Sequence, residues 1–299
     1  MSKKIVIVPT FCESHIVEYQ IDNIMSIIDP DYLIYNECLF PAGPENLNNI
    51  DEDFLKKYCK PRTVFGFDTD EMESIISNKK KEYPNKTIIH NRLVLNGNLI
   101  HSTDHAYLIG VSATNEAGDI EFEKGDVIFP YEADVFLHID QKEKLFEEIN
   151  NLKEDESIKT NWIDFIGSQY YVEKQFHPLF GKSKGRKLCI KYGTREYYNA
   201  VNLRCTSQMY DMCKQVDITT FHYNWFKPEK FRKMRYEQLK RNSGYWDVWE
   251  NGIQEIIKSK NLTKQDIRIR NTNNQLKDFV SYFEINHPKE IFNHPCYLK

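Results

Sequence analysis

The apolar positions in the first half of the chain alternate between two periods. Ile5-Val6-Ile7-Val8 is an unbroken β-branched run closed by Pro9, the pattern of a strand buried on both faces of a parallel sheet. From Ser14 the period changes, and Ile16, Val17, Ile21, Ile24, Met25 and Ile28 recur at helical spacing until Asp29-Pro30 stops them. Tyr32 to Tyr35 reads as a second strand, Glu71 to Tyr83 as a helix, and Thr87 to Ile89 and Val127 to Phe129 as further strands. Gln141 to Leu152 is again helical, with Leu145, Phe146, Ile149 and Leu152 on one face. Strand and helix in alternation predict a doubly wound α/β layer.

The second half lacks that alternation. The polar run Lys153 to Lys159 is the best candidate connection, separating a half at 1–152 from a half at 153–299 within what reads as one continuous domain. Beyond it, strands are expected around Trp162 to Val172, Lys187 to Tyr192 and Ile218 to Trp225, then a basic helix from Pro228 to about Asn242. A mixed, partly antiparallel α+β extension follows from this.

Composition narrows the class. The 299 residues are 40% hydrophobic and 28% charged, with 18 Tyr and 18 Phe, which excludes a disordered or fibrous chain. A net charge of −4 gives no overall pull toward nucleic acid or anionic lipid, so any such binding needs a local patch. Seven cysteines without a C-x-x-C pair suit a reducing compartment, and a cytoplasmic location is expected. Only four apolar residues follow the first lysines, too few for a secretory leader, and no stretch approaches the roughly 20 needed to cross a membrane.

Several common motifs fail. Gly181-Lys182-Ser183 ends like a phosphate-binding loop, but Phe176 stands where its first glycine belongs. His101 and His105 are four apart without the glutamate of a zinc protease, and neither G-x-G-x-x-G nor G-x-S-x-G occurs.

Two constellations survive. Pro9-Thr10-Phe11-Cys12-Glu13-Ser14 sits at the carboxyl end of the first strand, the edge where open α/β sheets bind ligands. Thr10 offers a hydroxyl, and Glu13 can accept from a ligand N–H such as that of a uracil ring; a plain turn with Ser14 as helix N-cap is the alternative. Val127-Ile128-Phe129-Pro130 then delivers Glu132 and Asp134 to a second strand end. Residues two apart on extended chain share a face, so both carboxylates can enter one cleft, where Mg²⁺ or Mn²⁺ would offset their repulsion and bind phosphate oxygens. Solvated acids at a polar strand end are the alternative.

Taken together, Val8 to Ser14 and Gly125 to Leu137 resemble the family 2 glycosyltransferases and their relatives with the GT-A fold, in which a P-T-x-N-E-type segment ends the first strand and a D-x-D ends a later one. Thr220-Phe221-His222-Tyr223-Asn224-Trp225-Phe226-Lys227 is similar to the late histidine segment of many such enzymes. The resemblance covers about 3–140 and 218–241. It implies a GT-A-like, Rossmann-related mixed sheet, mostly parallel and flanked by helices. It also implies metal-dependent transfer of a sugar from a nucleotide-diphosphate donor, a UDP-sugar above all, to an acceptor hydroxyl, with inversion. Asp134 and His222 would hold the metal; Pro9, Thr10, Glu13, Glu132 and Lys227 would contact the donor. The base would be Asp217, just upstream of the His222 segment, ahead of Asp211 and Asp164.

The acceptor is open to a glycan, a small molecule or modified DNA. Six Lys/Arg and no acid between Lys182 and Arg195, and seven against two acids between Lys227 and Arg241, form two basic segments. Either can be a solvated face, and the first can also grip a diphosphate or a polyanion. A carbohydrate- or nucleic-acid-binding protein without turnover is the competing class.

Overall fold

A computed structural model of the chain describes residues 2–10, 13–38, 69–93, 122–165, 168–173, 187–193, 213–223, 226–229, 231, 267–270 and 276–297. The His101/His105 pair, Asp211, Trp225, half of the first basic segment, most of the second and the aromatics Tyr197, Tyr198, Tyr245, Trp246 and Trp249 lie outside these.

Strands β1 (Lys4–Thr10), β2 (Tyr32–Cys38), β3 (Thr87–Leu93) and β4 (Val127–Pro130) are joined in parallel in the order β3-β2-β1-β4. Side chains on β1 alternate between two cores. Val6 and Val8 pack with Val17, Ile21 and Ile24 of helix α1 (Ser14–Ile27), while Ile5 and Ile7 pack with Ile34, Ile128 and Ile190 on the other face. All four β1 residues are fully buried, as their unbroken apolar run requires. Helix α2 (Thr69–Glu82) packs on α1, and α3 (Lys142–Asn150) follows the predicted periodicity.

The sheet does not stop at the halfway point. Beyond β4 it continues through β8 (Lys187–Lys191), β6 (Ser157–Asp164) and β9 (Lys214–His222) to β5 (Val135–Leu137), eight strands among the described residues. The polar run at 153–159 therefore leads straight into β6, an interior strand of the same sheet. β6 and β9 run parallel, whereas β8 and β5 are antiparallel to their neighbours. This is an α/β protein on a mixed, mostly parallel sheet. A second antiparallel sheet is made of β10 (Ile267–Arg270), β11 (Leu276–Tyr282) and β7 (Tyr171–Glu173), and a 3-10 helix at Lys289–Asn293 lies against α1.

Two features aim the chain at one rim. Order β2-β1-β4 means that connections leave β1 and β4 toward opposite sides, so their carboxyl ends form the switch point at which open α/β sheets take ligands. And β4 is central while β5, only four residues later, lies on the far edge beside β9, so Tyr131–Asp134 must cross the rim.

Polar residues inside α1 hold that crossing. Gln20, fully buried, donates to the carbonyls of Glu132 and, at 3.3 Å, Val135, and accepts from the Tyr35 hydroxyl at 2.8 Å. Asn23 pairs with both backbone groups of Leu137, at 2.8 and 2.9 Å, and so stands in for a neighbouring strand along the outer edge of β5. Asn23→Ala should lower the unfolding free energy by about 2–6 kcal/mol in urea titrations, since two buried backbone groups lose their partner at about 1–3 kcal/mol each.

Candidate functional site

Three acidic or imidazole groups meet where the crossing passes over β9. One ligand atom each from Glu132, Asp134 and His222 lies within 4.8 Å of the others, a group able to hold a metal ion. His222 Nε2 is 3.1 Å from Asp134 Oδ1 and 3.5 Å from Glu132 Oε2. Asp134 and His222 are buried and Glu132 is half-buried. The arrangement follows from register: Val135 is the cross-strand partner of His222, and Tyr223 N donates to Asp134 O at 2.8 Å.

A second cluster adjoins the first at Asp134. The ammonium of Lys227, 1% exposed, donates to both carboxylate oxygens of Glu13, at 2.7 and 2.5 Å, and stands 3.5 Å from Asp134 Oδ2. Burial, the largest influence, would raise the Glu13 carboxyl pKa; the Lys227 charge and the His15 contact together outweigh it, and the value falls below the ordinary one. Glu13 occupies the N-cap position of α1 but makes no side-chain cap, because its carboxylate is turned to Lys227 and, at 3.3 Å, to His15. Ser14, expected as the cap, is instead the first helical residue, with its hydroxyl buried and without a hydrogen-bond partner among the described residues. The Thr10 hydroxyl at the end of β1 is likewise buried and without one.

His222 has a carboxylate on each edge of its ring. Its Nδ1 lies 3.1 Å from Asp164 Oδ1, and Trp162 packs on the imidazole with ring centres 4.5 Å apart. Burial by itself would lower the imidazole pKa; Asp164 and then Asp134 outweigh it and push the value up to about 10. The site is thus a network in which, among the described residues, Glu13, Glu132, Asp134 and Asp164 face Lys227 and a protonated His222.

Of the residues expected from sequence, Thr10, Glu13, Glu132, Asp134, His222 and Lys227 occupy this rim, and Pro9 contributes its backbone to β1 opposite Asn36. Asp217 is not brought there. It lies five residues before His222 on β9, about 16 Å along an extended strand, with its side chain 87% exposed and paired to Lys144 at 2.8 Å. Alternation in Val216-Asp217-Ile218 carries the signal, since the flanking residues point inward and Asp217 points out. Asp126 also lies elsewhere, accepting from the backbone N–H groups of Lys3 and Glu123 at the opposite end of β4.

Sequence reasoning passed over His15 and His294. His15 Nδ1 and His294 Nε2 are 3.1 Å apart, which ties the C-terminal segment to α1 beside Glu13. Burial, the main cause in both, lowers their pKa values, His294 to about 2, so both are neutral. Neither histidine belongs to a short motif; each is legible only through the fold.

No protein-family model and no curated protein matches this chain.

Two outcomes test the network. Lys227→Met should cost about 3–5 kcal/mol by leaving Glu13 charged and buried, and adding Glu13→Gln should restore much of it in a double-mutant cycle by chemical denaturation. The pKa of His222 is raised on folding, so its stabilisation is complete below about 6.5, the unfolded value, and is lost as pH climbs to about 10. In chelator, stability should fall across that window, and the fall should be much shallower in His222→Gln.

Proposed function

We propose that this protein is a glycosyltransferase that uses a divalent metal to move a sugar from a nucleotide-diphosphate donor to an acceptor hydroxyl. The observation carrying the reading is the convergence of Glu132, Asp134 and His222 within 4.8 Å at the carboxyl rim, next to Thr10 and Glu13 from the first strand end. These are the segments whose sequences resemble the GT-A family, and they lie far apart in the chain.

The donor set suits a metal. Two carboxylates and one imidazole, set among four acids and two cations, favour a divalent ion that accepts both oxygen and nitrogen, which ranks Mn²⁺ above Mg²⁺. Asp134 and His222 would be the direct ligands, with Glu132 beside them. Such an ion would neutralise the departing diphosphate. The chain's own groups do the remainder: Thr10 offers a buried hydroxyl without a partner among the described residues, suited to the donor's nucleoside, and the Glu13–Lys227 pair places an ammonium beside the metal group for the phosphates. UDP is the preferred nucleotide. The acceptor is a glycan, a small molecule or a modified DNA base.

One observation favours a second reading, that of a binding protein without turnover. His222 and Lys227 already supply positive charge to these acids, so the rim can stand as a closed ion-pair network without metal.

Thermal unfolding with nucleoside diphosphates and Mn²⁺ separates the two. At 100 times its dissociation constant a ligand adds about 2.7 kcal/mol, so UDP with Mn²⁺ should raise Tm by several degrees. The shift should vanish with chelator and in Asp134→Ala. A shift indifferent to both removes the metal from the reading, and absence of UDP-sugar hydrolysis with Mn²⁺ favours the binding protein.

A further inference from the structure

The metal reading leaves Asp164 without a task. We propose that Asp164 is a positioning residue that fixes the ring of His222, holding a proton on Nδ1 so that Nε2 is directed at the metal; this rests on the metal site proposed above.

Register brings the two together. β6 and β9 run parallel, and Asp164 is the cross-strand partner of His222, so both side chains leave the same face at the carboxyl ends of neighbouring strands. The backbone locks this pairing, because Phe165 N donates to His222 O at 2.8 Å. On the ring the division is complete. Nε2 faces Asp134 at 3.1 Å and Glu132 at 3.5 Å, while Nδ1 faces Asp164 at 3.1 Å. Nδ1 and Asp164 Oδ1 are both fully buried, and neither has a hydrogen bond among the described residues; the 3.1 Å between them is an ion-pair contact. Each is therefore the other's available partner.

Position excludes the alternatives. Asp164 sits across the imidazole from Asp134 and Glu132, so it is not a fourth ligand to an ion held at Nε2. At 7% exposure it is also poorly placed to meet an acceptor hydroxyl. A histidine ligand whose second nitrogen donates to a carboxylate has a fixed tautomer and a more basic ligating nitrogen, and removing such a partner typically weakens metal binding 10–100-fold. Trp162, tilted on the ring at 4.5 Å between centres, closes off another direction in which it could swing.

The test needs neither donor nor acceptor. Mn²⁺ is titrated into the metal-free protein, with free Mn²⁺ read by electron paramagnetic resonance, for wild type, Asp134→Ala, Asp164→Asn and Asp164→Ala. Asp164→Ala should bind Mn²⁺ about 10–100-fold more weakly, and Asp164→Asn should fall between, since its amide oxygen still accepts from Nδ1–H without the charge. In the Zn²⁺-loaded, ¹⁵N-histidine-labelled protein, a slowly exchanging Nδ1–H signal of His222 should be present in wild type and lost in Asp164→Ala. A purely structural Asp164 would lower the melting temperature while leaving Mn²⁺ affinity and the ring signal of the folded fraction intact. Affinity within twofold of wild type in both Asp164 variants, alongside a large loss in Asp134→Ala, overturns the positioning role and leaves the metal site standing. Wild-type affinity in Asp134→Ala overturns both.

Discussion

Asp134 is a buried carboxylate that meets positive charge from two sides. Lys227 stands 3.5 Å from one oxygen and His222 3.1 Å from the other, and each of these cations is anchored by a further acid, Glu13 or Asp164. A carboxylate held at 6% exposure without such partners would be expensive, because burial disfavours the charged form. The network therefore joins three separate parts of the fold: the end of β1, the crossing between β4 and β5, and the ends of β6 and β9.

That junction depends on backbone groups more than on the acids themselves. The four residues from Tyr131 to Asp134 leave the middle of the sheet and reach its edge. Gln20 and Asn23 secure the passage by answering carbonyls and an N–H that would otherwise be buried without partners. These two polar residues interrupt the apolar face of α1, where their cost in hydrophobic contact is offset by fixing the site-bearing segment. The C-terminal segment braces the same helix from the other side: Glu290 accepts from Asn23 at 3.0 Å, and His294 meets His15 next to Glu13. A helix that looks like ordinary packing thus fixes the segment that carries Glu132 and Asp134 and bears Glu13 at its N-terminal end.

The same network could serve the rim in two chemical states. Without an ion, His222 is the cation that Asp134 and Asp164 share. A divalent ion at Nε2 would take over that charge and leave the imidazole neutral, so metal and proton would compete for one nitrogen. Such competition is a natural consequence of placing a histidine between two acids.

The order of strands and helices in the first half was legible because each has its own period: four consecutive β-branched residues in β1, helical spacing in α1, and an apolar run ahead of Glu132 in β4. Local order also suggested which acids follow a strand, as Glu132 and Asp134 follow β4. Chain pattern could not place Asp217 and Asp164 correctly relative to one another. One is exposed beside Lys144 and the other buried beside His222, a difference made by the pairing of β6 with β9. His15 and His294, 279 residues apart, carry no local signature of their contact. Periodicity is a property of neighbours along the chain, so the sequence alone determined the elements and the residue types at their ends. Which of those ends face one another is set by strand order and register, long-range choices made by burial and backbone hydrogen bonding, and only the tertiary structure decided them.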